Sequence, residues 1–319
     1  MKKLSALILA AVLLVTLSSA AMAAQTRLSI GGGSSGGNFY VVGGGVATVI
    51  NNLLGDKYIA TGEETGGSSA NLVMLGDEEI DFGVTMTSPI KDAIANGNDC
   101  IRGALPLYPS YLTIYTPATS GIKTLQDLNG HVVGVGSKGA AMDKVWREIF
   151  ANHGITPKEI FNDGHGATAT AMKNGDVEAA ILYSLPPFAA IAELEASMDL
   201  NFVGLTAEEQ AALCAEYDFY SPATMPAGSY KGVTEDLPVV SEWNMLVTSS
   251  NVDEQIVYDV VKTLLENNAA LVEIYKGLTY ATAENMVYFN CPLHAGVVRY
   301  LTEIGVEVPA ELIPAEYTK

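Results

Sequence analysis

The most informative stretch of the sequence lies near the N-terminus and runs from residue 27 to residue 50: RLSIGGGSSGGNFYVVGGGVATVI. It has the pattern of an apolar strand, a loop with G-x-G-x-x-G spacing and a helix, and residues 131–150, HVVGVGSKGAAMDKVWREIF, repeat this order. The spaced glycines are Gly31, Gly33 and Gly36 in the first copy and Gly134, Gly136 and Gly139 in the second. Such a loop points unpaired backbone N–H groups, at the positive end of a helix dipole, away from the strand. Each copy therefore predicts a site that can hold an anion.

The first 23 residues have the pattern of a secretory signal. Lys2 and Lys3 precede a short apolar run, which ends in the small-residue motif Ala21-Met22-Ala23. We therefore expect cleavage after Ala23 and a periplasmic location for the remaining chain.

Composition excludes several classes of partner. The formal net charge of −19 predicts repulsion from nucleic acid and from anionic lipid. Three cysteines, Cys100, Cys214 and Cys291, allow at most one intramolecular disulfide, and the sequence leaves the pairing open. The four histidines lie at no metal-ligand spacing with one another or with cysteine, so we predict neither a metal nor a cofactor. We expect a monomer.

The remaining sequence alternates strand and helix patterns, which is typical of the α/β class with a parallel or mixed sheet in each of two lobes. Two extended stretches, YLTIYTPA at 111–118 and EWNMLVTSS at 242–250, are placed where the chain can leave one lobe and return to it. We predict that they form a hinge of two crossover strands. Lobe 1 would then comprise residues 24–112 and 246–319, lobe 2 would comprise residues 113–245, and the ligand would bind in the cleft between them.

Two enzyme classes fit parts of the first glycine loop. A dinucleotide enzyme would use the glycine spacing together with Glu63 or Glu64 as the ribose-binding carboxylate. The export signal, the second glycine loop and the lack of a recognisable hydride-transfer group argue against it. A serine hydrolase would use Ser34, since residues 32–36 satisfy G-x-S-x-G. A loop so rich in glycine is unlike a strained nucleophile elbow, and we predict no catalytic residue.

Motifs spread over nearly the whole chain resemble one family. They include the first glycine loop with Phe39-Tyr40, TGGS at 65–68, LYP at 107–109 and PLHAGVVRYLTEIGV at 292–306. This set resembles the TAXI family of extracytoplasmic solute receptors, which serve TRAP transporters. The resemblance implies a two-lobed periplasmic binding protein, type II-like, that closes like a Venus flytrap on a small organic acid and delivers it to TRAP membrane permease subunits. A receptor for an ABC importer shares this architecture and remains the alternative.

The resemblance also implies which residues contact the ligand. In lobe 1 they are Gly36, Gly37, Asn38, Phe39, Tyr40, Thr65, Ser68, Asn71, Thr85, Met86, Thr87 and Ser88, and in lobe 2 they are Ser137, Lys138, Gly139, Ala140, Ala141, Met142, Tyr183 and Pro187. Three positions, Met86, Ala140 and Met142, are less polar than is usual in the family. Because an unpaired polar group in a closed cleft costs roughly 1–3 kcal/mol, we expect a carboxylate whose body is less polar than that of glutamate or 2-oxoglutarate.

Overall fold

The computed structural model describes residues 25–33, 35 and 37–318. The predicted signal peptide, together with Ser34 and Gly36, lies outside the described residues.

Within this described part, ten strands form one mixed sheet. The strands are β1 (Thr26–Gly31), β2 (Tyr58–Glu63), β3 (Phe82–Met86), β4 (Ile101–Pro117), β5 (Val132–Gly134), β6 (Glu159–Phe161), β7 (Ala179–Ser184), β8 (Leu200–Val203), β9 (Tyr220–Met225) and β10 (Leu237–Ser249). Their order is β2-β1-β3-β10-β4-β7-β5-β6, with β8 paired to β4 and β9 paired to β10. The sequence predicted a mixed sheet in each lobe, and the structure joins the two into one continuous sheet.

The two long strands β4 and β10 make this connection. They pair antiparallel from Ile101 with Ser249 to Tyr111 with Ser241, whereas the strands on either side, β1 with β2 and β5 with β6, pair parallel. Nearly every residue of β4 is buried, as expected for a central strand that is covered on both faces. The prediction of an α/β, two-lobed architecture with two crossover strands is confirmed.

Helices cover both faces of the sheet. In residues 25–33, 35 and 37–318 they are α1 (Asn38–Leu54), α2 (Ser68–Gly76), α3 (Ser88–Ala95), α4 (Ala141–Asn152), α5 (His165–Asn174), α6 (Ala189–Glu195), α7 (Ala207–Glu216), α8 (Glu254–Glu266), α9 (Asn268–Ile274) and α10 (Ala295–Glu303). Short 3-10 helices complete the set. No helix of the described chain is long and apolar enough to cross a membrane.

The buried apolar residues form separate cores that divide along the length of the two long strands. The first core contains the buried apolar residues of β4 up to Tyr108 and those of β10 from Trp243 onward. The other two use residues from Tyr111 to Val240. The change of core lies near the predicted lobe boundaries at residues 112 and 245, which themselves stay a prediction.

The three cysteines all lie in the described part of the chain, and none is bonded to another. Cys291 is buried in the first core, and burial raises the pKa of its thiol to about 12. It therefore packs as a small apolar side chain.

Candidate functional site

A cavity of about 540 Å³ lies between the two lobes. Its described lining residues are Gly33, Gly37, Asn38, Phe39, Gly66, Gly67, Met86, Tyr108, Ser110, Tyr183, Ser184, Leu185, Phe188 and Asn244. Met86 is the last residue of β3, Ser184 is the last residue of β7, and Gly33 follows the end of β1. The cavity thus opens at the carboxyl ends of parallel strands, where open α/β sheets ordinarily bind ligands.

The first lobe contributes the N-terminus of α1 to the cavity wall. Gly37 is extended and caps the helix, Asn38 is its first residue, and no acidic residue lies in the first turn. By helix geometry the first N–H groups have no partner inside the helix, and the dipole adds partial positive charge there. Phe39 packs behind this turn, where a Cβ at Gly33 would lie 3.0 Å from the Phe39 Cβ. The wall therefore joins an anion-attracting helix end to an aromatic ring.

The floor of the cavity is polar and fixed. The side-chain amide of Asn244 on β10 donates to the backbone oxygen of Tyr108 at 2.9 Å and to Ser110 Oγ at 2.8 Å, both on β4. These bonds cross between the two hinge strands. They hold the amide in one orientation.

The second lobe contributes an aromatic wall. The Tyr183 hydroxyl is hydrogen-bonded to the Tyr220 hydroxyl and accepts a bond from Trp146 Nε1 at 3.2 Å. The Tyr183 and Tyr220 rings stack with centroids 5.8 Å apart. Burial raises the pKa of Tyr183 far above its ordinary value, so the ring presents an uncharged surface. Phe188 completes this wall, and its ring packs nearly perpendicular to the His165 ring, with centroids 5.5 Å apart.

Five of the residues implied by the resemblance meet in this cavity. They are Gly37, Asn38, Phe39, Met86 and Tyr183. Tyr40, by contrast, is 41% exposed and is not among the lining residues.

Five other implied residues hold the protein's own backbone. Asn71 is completely buried, and its amide nitrogen donates to the carbonyls of residues 31, 32 and 84. Ser68 Oγ accepts from the Met86 N–H at 3.1 Å, and Thr65 Oγ1 accepts from the Gly67 N–H at the same distance. The buried hydroxyls of Thr85 and Thr87 donate to the carbonyls of residues 86 and 219. In this arrangement these side chains shape the loops around the cavity.

The implied residues of the second glycine loop lie apart from this cavity. Gly139 and Ala140 line a neighbouring space of about 590 Å³, together with Ser88 of lobe 1. Ser137 and Lys138 are exposed. The other implied residues of lobe 2 are placed as follows: Ala141 begins α4, Met142 packs against the second-lobe core and Pro187 lines a third space.

Carboxylates of the protein itself already occupy several loop amides. The Gly139 N–H was expected to bind ligand, but it donates to Asp143 Oδ2 at 2.8 Å. Burial acts to raise the pKa of Asp143, but hydrogen bonds from Gly139, Asn162 and Arg147 outweigh it and hold that pKa below its usual range. Asp143 is in the first turn of α4, where an acidic residue is a recognised capping signal.

Two further amides have partners of this kind. Ser35 N–H donates to Glu64 Oε1 at 3.1 Å, and Ser88 N–H donates to Glu242 Oε1 at 2.8 Å. The start of α1 has no acidic residue in its first turn and no side-chain cap, and the same holds for the start of α2, whose cap Gly67 also lines the cavity. These two helix starts are therefore the places in the cavity wall that can receive an external anion.

Sequence reasoning missed the floor of the cavity and part of its second-lobe wall. The missed lining residues are Gly33, Gly66, Gly67, Tyr108, Ser110, Ser184, Leu185, Phe188 and Asn244. Ser110 and Asn244 were detectable in principle, because they belong to the two strands that the sequence identified as the hinge.

In residues 25–33, 35 and 37–318, no group of three or more His, Cys, Asp or Glu side chains is placed to hold a metal ion. None of the described residues lining the cavity carries a formal charge.

The chain thus has the two-lobed α/β fold of periplasmic binding proteins, with a cavity between the lobes. A family model described as the NMT1-like family matches residues 30–305, and the chain belongs to this family. This match does not single out the TAXI family.

Solved structures share the fold at low sequence identity. A probable amino-acid ABC transporter extracellular-binding protein, ytmK from Bacillus subtilis, is 17% identical over 80% of this chain and 99% of that one, with a TM-score of 0.51. A structure from work on glutathione import via GshT and the cystine ABC importer TcyBC of Streptococcus mutans is 14% identical over 81% and 97% of the two chains, with a TM-score of 0.51. XAC2383 from Xanthomonas citri bound to ATP is 10% identical over 88% and 96%, with a TM-score of 0.53.

Proposed function

We propose that this protein is a periplasmic solute receptor that binds a small organic acid between its lobes and performs no chemistry on it. The observation that carries the proposal is the make-up of the 540 Å³ cavity. One wall is the N-terminus of α1, which attracts an anion, and the other is an uncharged aromatic surface that includes Tyr183 and Phe188. A carboxylate held at the helix end would lay its body against the rings.

The cavity also favours a ligand of limited polarity. Its volume suits a small organic molecule, and its polar side chains are few, chiefly Asn38, Ser110 and Asn244. A second carboxylate on the ligand would face aromatic rings and lose its hydration without replacement bonds, at a cost of about 1–3 kcal/mol or more. The favoured ligand is therefore a monocarboxylate with an apolar or aromatic body.

The two enzyme classes find less support. Glu64, a candidate ribose-binding carboxylate, accepts a hydrogen bond from the first glycine loop itself, where a nucleotide phosphate would have to lie. Ser34, the candidate nucleophile, lies outside the described residues. If the receptor proposal holds, Ser34→Ala leaves the binding of acids unchanged.

An importer in the membrane would receive the ligand. The names of two similar structures refer to ABC importers, and these names support an ABC importer as partner. The TAXI resemblance of the glycine loop, TGGS, LYP and tail motifs favours a TRAP permease as the second candidate. Uptake of the acid into vesicles that contain the permease distinguishes the two, because an ABC importer requires ATP and a TRAP permease requires an ion gradient.

Thermal unfolding with a panel of acids and matched amides tests the receptor proposal. The panel contains phenylacetate, hexanoate, glutamate and 2-oxoglutarate, with phenylacetamide and hexanamide as uncharged controls. A ligand that binds only the native state at 100 times its Kd stabilises it by about 2.7 kcal/mol, so a clear rise in Tm is expected for the monocarboxylates. Equal shifts in Tm for acids and amides, or shifts with the amides alone, would contradict the proposal.

A further inference from the structure

A buried carboxyl group lies beside the floor of the cavity without lining it. Glu242 on β10 is 4% exposed and stands opposite Ser110 of β4 and Tyr220 of β9. Asn244 is two residues further along the same strand, and no register shift separates the two. Because side chains alternate along a strand, Glu242 and Asn244 lie on the same face of the sheet. Ser110 and Asn244 line the cavity, so the carboxyl group is next to the space that the ligand would fill.

Among the described residues, no cation neutralises this carboxyl group. In the described part of the chain, Glu242 forms no ion pair with Lys, Arg or His, and Oε1 accepts the Ser88 N–H at the start of α3. The nearest cation on that helix, Lys91, pairs with Asp218 at the surface.

The ionisable groups that face Glu242 are tyrosines. Tyr220 of β9 and Tyr183 of β7 are both close enough for the charge of Glu242 to act on them, and Tyr217, which follows α7, packs its ring against that of Tyr220. Burial raises the pKa of each of these hydroxyls, most strongly for Tyr183 and Tyr220, so all three stay neutral around pH 7. A change of charge near neutrality at this place therefore belongs to Glu242 alone.

The environment brings Glu242 close to its titration point at neutral pH. Burial raises the pKa of Glu242 to about 7, against the opposing effect of hydrogen bonds from Ser88. A second negative charge placed nearby raises the pKa of a carboxyl group further, because two negative charges repel each other strongly in a poorly hydrated site.

We propose, on the basis of the receptor function above, that Glu242 couples the binding of an anionic ligand to the uptake of one proton. When the carboxylate enters the cavity, a proton from solvent binds to the Glu242 carboxylate, while Oε1 continues to accept the Ser88 N–H. The carboxyl groups of Glu242 and the ligand then carry one negative charge together instead of two. Glu242 thereby also determines specificity, since above neutral pH the cleft discriminates against acids relative to their uncharged amides.

Calorimetric titration with phenylacetate tests the coupling. Measured at pH 7.5 in phosphate and in Tris, whose ionisation enthalpies differ, the binding enthalpy of the wild-type protein should reveal net proton uptake. The Kd should rise by up to tenfold for each pH unit above 7. Glu242→Gln should show no uptake and should bind at pH 8.5 about as tightly as the wild-type protein binds at pH 6. The matched control Glu307→Gln, an exposed site, should behave as wild type.

Each contrary result has a separate meaning. Phenylacetate binding without proton uptake, or an unchanged pH profile in Glu242→Gln, would overturn the coupling and leave the receptor proposal standing. If phenylacetate and hexanoate fail to bind at pH 6 as well as at pH 8.5, the receptor proposal fails and the coupling with it. If Glu242→Gln does not fold, the binding enthalpy of the wild-type protein in the two buffers still tests the coupling. A result of zero proton uptake would overturn it.

Discussion

At the scale of single residues, Glu242 makes the stability of the protein depend on pH near neutrality. Its carboxyl group has an ordinary pKa of 4.5, and burial raises that pKa to about 7 in the fold. Between these values the folded chain holds a proton that the unfolded chain has lost. The resulting stabilisation is complete below about pH 4.5 and is lost as the pH rises through 7.

The comparison of wild type with Glu242→Gln isolates this contribution. The free energy of unfolding of the wild type, relative to that of the variant, should fall by about 2–3 kcal/mol between pH 5 and pH 8. Urea unfolding at several pH values measures this difference. The contributions of the other acidic groups are the same in both proteins and cancel. A constant difference over this range would show that Glu242 ionises as an ordinary glutamate.

Asn38 offers a direct test of the anion-binding helix end. Asn38→Asp keeps the size of the side chain and places a negative charge in the first turn of α1. Repulsion should weaken the binding of phenylacetate by about 1–3 kcal/mol, while the charge favours the helix dipole and leaves the fold stable.

The matched control for Asn38→Asp is Asn52→Asp, which makes the same chemical change on an exposed residue at the other end of α1. Titration calorimetry should show wild-type affinity for this control. Equal affinity of both variants would mean that the acid is held elsewhere.

The sequence located the residues that follow a recognisable loop and missed those that meet across the sheet. Gly37, Asn38 and Phe39 could be predicted as residues near the ligand because the glycine loop indicates where a helix begins. The bond between Ser88 and Glu242 could not, because it joins positions 154 apart and depends on strand register. Local pattern carries no information about which strands become neighbours.

At the scale of elements, the glycines of α1 allow this helix to pack closely on β2. A Cβ at Gly62 would lie 2.7 Å from the Gly44 Cα, so backbone meets backbone there. Gly62→Ala should therefore destabilise the protein by about 1–3 kcal/mol through overpacking. Thermal or urea unfolding measures the change.

Gly44→Ala is the matched control, since a Cβ there meets nothing within 4 Å. Alanine in a helix is favoured over glycine by about 1 kcal/mol, so this variant should be as stable as the wild type or more so. If both variants lose the same stability, the close approach of α1 and β2 is not the cause.

The hinge strands were predicted in part. The sequence placed them at residues 111–118 and 242–250, whereas β4 begins at Ile101 and β10 at Leu237. Pro106 and Pro109 obscured the first half of β4, because proline is rare inside a central strand. The structure accommodates Pro106 next to a register shift in the pairing of β4 with β10, where Leu107 of β4 is skipped, and a period-two pattern does not reveal this irregularity.

At the scale of the whole molecule, one sheet connects two lobes whose facing surfaces differ. Lobe 1 presents the start of α1 and lobe 2 presents aromatic rings, and the hinge strands supply the floor between them. A formal net charge of −19 means that any acid must be held by local donors against the overall field. The cleft offers such donors mainly from backbone, so the proposed acid would be held without a buried cation.

The central claim, that an organic acid binds between the lobes, is tested most directly by hydrogen–deuterium exchange with and without the panel acid that raises Tm most. Binding should slow exchange both in peptides covering residues 37–41 of lobe 1 and in those covering residues 183–188 of lobe 2. Exchange in α10, which contributes none of the described lining residues, should stay the same. Unchanged exchange in both cleft segments, or protection confined to one lobe, would contradict the account.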